Sequence, residues 1–166
     1  KMSAKSLVLK TYVEEGLPTR EHFDIVESET PALDLDGSIQ VKVLAMSADP
    51  YLRGRISPKS PMRYQIGEVM SGVVVGKVVA SLNNSEWSEG DLFGGSLPFT
   101  TIQNLTPENL KSSLMWKLTG LLDESEITLG LGLMGMPGST AYGCLIDFLR
   151  PNEGETIFIS AASGAV

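Results

Sequence analysis

The last six residues, Ala161-Ala162-Ser163-Gly164-Ala165-Val166, have types and spacing that could hold the phosphates of a dinucleotide. In the Gly-x-Gly-x-x-Gly fingerprint, small residues let the backbone approach a pyrophosphate, and the following helix aims its N-terminal amides at the negative charge. Ala162 stands at the first glycine position and Gly164 at the second; the third falls just past Val166, so the sequence reads as part of a longer enzyme. An ordinary strand ending in a glycine turn has the same pattern, and both readings stand on these six residues. Other chemistry-bearing residues are few. His22 is the only histidine and Cys144 the only cysteine, which excludes an internal disulfide and a cysteine-rich zinc lobe. Arg53 and Arg55 could meet a cofactor phosphate or belong to a solvated loop.

The elements that must position these residues follow from pattern. Residues 155–160, Glu-Thr-Ile-Phe-Ile-Ser, are β-rich and run into the terminal turn as a strand. Before them, Tyr142, Leu145, Ile146 and Leu149 fall at i, i+3, i+4 and i+7, which predicts a helix that opens near Pro137 and Gly138 with Ser139 or Thr140 as its cap. Arg150 lies in its last turn and Pro151 stops it. Upstream, residues 6–12 and 23–27 read as short strands. Ile39, Val41, Val43 and Ala45 alternate with Gln40, Lys42 and Leu44, so 38–46 is a strand with one buried face. Residues 47–66 hold three prolines and read as a long loop, the kind of place where function is carried. The run Gly72-Val-Val-Val-Gly-Lys-Val-Val-Ala80 is the most β-branched stretch, with Gly76 marking a bulge or bend. Strands at 92–93 and 99–105 and a helix over 123–131 capped by Asp123 complete a mainly β chain with helices: a barrel-like core with a helical exit.

At 166 residues the chain suits one well-buried domain with an appendage. With 42% apolar residues, 20% charged and a net charge of -7, it is globular and unsuited to nucleic acid, which demands clustered Lys and Arg. No apolar run approaches the roughly 20 residues of a membrane span, and Lys1-Met-Ser-Ala-Lys5 is not followed by a signal-peptide core. A soluble cytoplasmic protein with no membrane partner is expected.

Five segments in one order carry a resemblance: Met46-Ser-Ala-Asp-Pro-Tyr-Leu-Arg53, Gly67-Glu-Val-Met-Ser-Gly-Val-Val74, Gly90-Asp-Leu-Phe93, Gly135-Met-Pro-Gly-Ser-Thr-Ala-Tyr142 and Ala161-Ala-Ser-Gly-Ala-Val166. Together they resemble the medium-chain dehydrogenase/reductase superfamily, in its zinc-free branch of prostaglandin and leukotriene reductases and alkenal double-bond reductases. The resemblance implies a GroES-like, partly open β-barrel catalytic domain over 1–136, a linking helix over 137–154 and, over 155–166, the first strand of a truncated Rossmann nucleotide-binding domain. It implies NADPH as cofactor, a small enone, alkenal or lipid substrate, and a homodimer when full length. Tyr51 matches the tyrosine that contacts the substrate carbonyl beside the nicotinamide, with Pro50 its rigid neighbour. Met136 and Thr140 match positions lining the nicotinamide, and Ala161, Ala162, Ser163, Gly164, Ala165 and Val166 match the phosphate turn. Zinc-dependent relatives place thiolate and imidazole ligands where this sequence has Met46, Glu68 and Val69, so the resemblance implies no metal. Without a Lewis acid, hydride addition to the β-carbon of an α,β-unsaturated carbonyl is the accessible chemistry, because hydrogen bonds can stabilise the enolate. A quinone reductase is the near alternative; a non-catalytic binding module is the alternative of another class.

Overall fold

A computed structural model describes residues 3–164 and 166. Lys1, Met2 and Ala165 lie outside the described residues, so the expectation placed on Ala165 is not addressed by it. Two antiparallel sheets carry the chain. β1 (Ser3–Leu9) pairs with β2 (Phe23–Glu29), and a five-stranded sheet runs in the order β6 (Ile102–Leu105), β3 (Ile39–Met46), β4 (Ser71–Ser81), β5 (Leu92–Pro98), β7 (Met115–Lys117). Isolated bridges Ser6 to Thr100 and Val8 to Val69 tie β1 back to the larger sheet, which curls the whole into a partly open barrel.

The alternation in β3 does what its pattern requires, with Ile39, Val41 and Val43 buried. β4 does not alternate: Val74 and Val75 are both fully buried, because this central strand is covered on both faces. Val74 joins Leu9, Ile39, Val41, Val78, Phe93 and Leu97 in the main core, while Val75 packs with Leu92, Leu118 and Ile127 on the other side. Burying each such aliphatic side chain is worth about 1.5–3 kcal/mol. Gly76 sits beside a bulge, for the β3–β4 register shifts between Val43 and Ala45. A Cβ there would meet the Lys42 carbonyl oxygen at 2.2 Å, so only glycine lets β3 and β4 close.

Several expectations are corrected. The loop over 47–66 contains a short helix, α1 (Tyr51–Arg55), started by the fixed φ of Pro50 at its N-cap. Residues 99–101 join no strand, and β6 begins at Ile102. Helix α2 (Pro107–Ser112) follows Thr106, whose hydroxyl accepts the Asn109 amide while the Asn109 side chain returns to the Thr106 amide. The stretch after Asp123 is a 3-10 turn, Glu124–Gly130, and the Asp123 side chain makes no capping bond. Helix α3 (Met136–Tyr142) has Gly135, not Ser139 or Thr140, at its N-cap and passes into a π-helical turn over Gly143–Leu149. Arg150 ends it in the left-handed region at φ 48. Residues 155–160 form no strand among the described residues: their β-propensity lacks the ladder partner that turns it into a strand.

Candidate functional site

α1 is fixed at both ends by backbone and side-chain contacts. Its first turn is held by Leu52 N to Asp49 O at 3.0 Å and Arg53 N to Pro50 O at 3.1 Å. Arg53 Nε donates to the Gly16 carbonyl at 3.0 Å and Arg55 Nε to the Met62 carbonyl at 3.2 Å. The Arg55 guanidinium also lies 3.9 Å from the centroid of the Tyr64 ring. Both arginines therefore brace the loop through Nε. Tyr64 is buried, and its hydroxyl donates to the Ser71 carbonyl, which ties the loop to the start of β4.

This frame carries Tyr51 to β4. The residue is 41% exposed, while its hydroxyl reaches the backbone at Gly72 and Val73. Burial, followed by the negative charge of Asp49, pushes the phenol above its ordinary value; Arg55 and hydrogen bonding with the Val73 backbone offset part of that. A neutral donor results at physiological pH. Val73 also lines a cavity of about 390 Å3 with Ser96, Leu114, Trp116, Met134, Gly135, Met136 and Ser139. Met136 lines that cavity, whereas Tyr51 does not and meets Val73 through its backbone. The Trp116 Nε1 on that cavity's wall is buried with no hydrogen-bond partner.

The other expected site residues are distributed differently. Pro50 lines a separate pocket of about 350 Å3 under α1. Thr140 Oγ1 donates to the Met136 carbonyl at 2.7 Å, so its lone pairs remain available as acceptors. Ala161, Gly164 and Val166 lie against Ala141, Cys144 and Leu145 around a third cavity, apart from Met136. Ala161 takes φ 51 and its carbonyl accepts the Gly164 amide at 2.8 Å, while Ala162 and Ser163 are exposed within that turn. His22 is a local turn residue, its Nδ1 at 2.9 Å from the Thr19 hydroxyl. Glu68 accepts the Gln65 amide at 2.8 Å, and Val69 bridges to Val8. Tyr64 and Trp116 escaped sequence reasoning; Gly72 and Val73 were named only as members of the β-branched run and the Gly67–Val74 segment.

Residues 5–112 match the family model described as the N-terminal domain of oxidoreductase. The chain belongs to that family. Within it, this oxidoreductase domain is 35% identical to prostaglandin reductase 1 of Mus musculus over 166 residues, 99% of this chain and 46% of that protein. It is 32% identical to the NADP-dependent 2-alkenal reductase of Nicotiana tabacum over 172 residues, 99% of this chain and 47% of that one. The crystal structure of CurA from Vibrio vulnificus in complex with NADPH superposes with a TM-score of 0.74 at 31% identity, covering 97% of this chain and 45% of CurA. The oxidoreductase domain therefore lies in the prostaglandin reductase and alkenal reductase branch of the medium-chain dehydrogenase/reductases, with their GroES-like barrel. It spans about half the length of the relatives it matches.

Proposed function

We propose that this oxidoreductase domain, over 1–136 with a linking segment over 137–154, serves the NADPH-dependent reduction of the C=C bond of α,β-unsaturated ketones and aldehydes, with the hydride delivered to the β-carbon and no zinc. The observation that carries the reading is the Tyr51 hydroxyl, a neutral donor held against β4 at Gly72 and Val73. The cavity that Met136 lines fits a nicotinamide: its walls are largely apolar, and the buried Trp116 N–H still lacks an acceptor. When bound, NADPH supplies the hydride. Met136 would pack on the ring, and the lone pairs of Thr140 suit the carboxamide N–H. The turn from Ala161 to Gly164, with Val166, is the segment we assign to the phosphates.

Tyr51 does the work that falls to this chain. Its hydroxyl binds the substrate's carbonyl oxygen and holds a proton there while negative charge gathers on that oxygen, which is transition-state stabilisation of the oxyanion-hole kind. Burial strengthens that hydrogen bond by lowering the local dielectric. The zinc-independent reading is supported by the side chains at the metal-ligand positions, a thioether at Met46, a carboxylate at Glu68 committed to a turn, and an alkyl group at Val69. Among the described residues, no helix is long and apolar enough to cross a membrane. A cytoplasmic homodimer is the setting that the family resemblance favours.

The test is NADPH oxidation by the domain joined to its nucleotide-binding partner domain, with an enone, a quinone or no substrate. Turnover on the enone above the blank is expected. Turnover on the quinone alone would replace this reading by quinone reduction, and turnover on neither would return the barrel to a binding role.

A further inference from the structure

We propose that the Trp116 indole N–H donates to the carboxamide oxygen of the nicotinamide, which makes Trp116 a cofactor-positioning residue supplied by the barrel. The proposal rests on the reading of the Met136-lined cavity as the nicotinamide site; the demand of that N–H for a neutral acceptor does not. Pairing of β7 with β5 sets Trp116 opposite Gly94. An ideal Cβ on Gly94 would lie 2.6 Å from Trp116 Nε1, so the indole takes the space that a side chain at 94 would fill and lies against the β5 backbone. There Nε1 is buried, with no hydrogen-bond partner among the described residues.

An indole nitrogen is a donor only, so no change of role satisfies it as it would a hydroxyl. Left unpaired away from water it is costly, and the cost is removed by whatever brings an acceptor into the cavity. The cavity decides which acceptor that is. It measures about 390 Å3, within the range of small-molecule sites, and among the described residues no charged side chain lines it. A phosphate or carboxylate would be buried there without a cation, which leaves a neutral acceptor. The two hydroxyl residues at its edge, Ser96 and Ser139, are exposed, while Val73, Leu114, Met134 and Met136 supply apolar wall. Tyr51 does not line it, so the oxygen that Trp116 takes is not the substrate oxygen assigned to Tyr51. A flat, largely apolar ring bearing one neutral carbonyl fits these walls, and the nicotinamide is such a ring. Its carboxamide sits on the carbon next to the one that gives up the hydride. A donor on the carboxamide oxygen therefore also fixes where the reacting carbon lies.

The experiment uses the enzyme joined to its nucleotide-binding domain, as wild type and as Trp116→Phe, which keeps an aromatic wall and removes the donor. The first readout is the indole N–H resonance of Trp116 by NMR, with that of Trp87 as the internal control. On saturation with NADPH in the absence of substrate, the Trp116 resonance is expected to move downfield, as an N–H does on gaining an acceptor. An unmoved resonance overturns the proposal. The second readout needs no cofactor and no turnover: the dissociation constants of free 3-acetylpyridine and 3-ethylpyridine, whose side arms differ by the carbonyl oxygen. The preference for 3-acetylpyridine is expected to fall about tenfold from wild type to Trp116→Phe. A preference that survives the substitution overturns the proposal. If both readouts hold and no enone is reduced, the reductase reading fails alone and the Trp116 contact stands. Should Trp116→Phe fail to fold, the wild-type resonance decides: it is expected to respond to 3-acetylpyridine and not to 3-ethylpyridine, and an equal response to both is the overturning result.

Discussion

The Tyr51 hydroxyl and the Phe99 ring close over residue 72: an ideal Cβ there would lie 3.2 Å from Tyr51 Oη and 2.7 Å from the Phe99 ring. Gly72 is buried within β4, with Tyr51 of α1 and the buried Phe99 packed over it. Gly72→Ala is expected to cost about 1–3 kcal/mol through overpacking and to displace the Tyr51 hydroxyl from Val73. Chemical denaturation with enone kinetics checks both. Wild-type stability with wild-type kcat would mean that Tyr51 and β4 are not coupled.

Gly76→Ala should be the more damaging change. Its Cβ would meet the Lys42 carbonyl oxygen at 2.2 Å and the Phe93 ring at 2.8 Å, and backbone cannot move aside as a flexible side chain can. We expect a loss of about 3 kcal/mol or failure to accumulate folded protein. Gly54→Ala is the contrast, because an added Cβ there meets nothing within 4 Å, and a helical glycine replaced by alanine gains up to about 1 kcal/mol.

Acid sensitivity should centre on Asp91. Burial opposes its charge, yet Lys117 Nζ at 2.8 Å, the Ser88 amide at 2.8 Å and the Thr119 hydroxyl at 3.0 Å together hold its carboxyl below the usual range. A depressed folded pKa gives stability that is present above the unfolded value, about 4, and is lost as pH falls through the folded value. Asp91→Asn should therefore lower the unfolding free energy at pH 7 by about 1–3 kcal/mol, and the gap from wild type should shrink below about pH 4. A gap independent of pH would show that geometry rather than charge is what Asp91 supplies.

As the 166-residue chain, the protein should self-associate. Phe148 is 84% exposed and Phe158 89%, and Leu133, Tyr142, Ile146 and Leu149 are exposed along the same C-terminal stretch. Contiguous apolar surface of this kind marks an interface or an aggregation site. Sedimentation and binding of an apolar dye check it; a clean monomer at high concentration without dye uptake would contradict it.

What the sequence made legible was set by period and by partner. β3 and β4 were readable because β-branched residues mark pleated, buried positions, and Gly76 announced the bend beside Val43. α2 was missed because Pro107 reads as a breaker, although at the first helical position it is well placed after the Thr106 cap. β7 is three residues long and has no period to detect. Residues 155–160 were over-read, since propensity alone does not supply a neighbouring strand. Tyr51 was singled out through its motif. Its contacts at Gly72, Val73 and Phe99 were not, because only the loop closed by Arg55 on Tyr64 brings those distant positions together.

The central claim is that the Tyr51 hydroxyl stabilises charge on the substrate oxygen, and Tyr51→Phe kinetics with NADPH test it most directly. A donor that acts on the transition state affects kcat and kcat/KM together, and losing it from a partly dry site costs on the order of 10² to 10³ in rate, or about tenfold if a second donor shares the oxygen. Because burial and Asp49 raise its pKa, Tyr51 adds no limb to the pH profile below about pH 10. The account predicts this loss of kcat on both an enone and an alkenal in a variant with wild-type stability. Wild-type kcat on both substrates would contradict it and make Tyr51 a packing residue of α1.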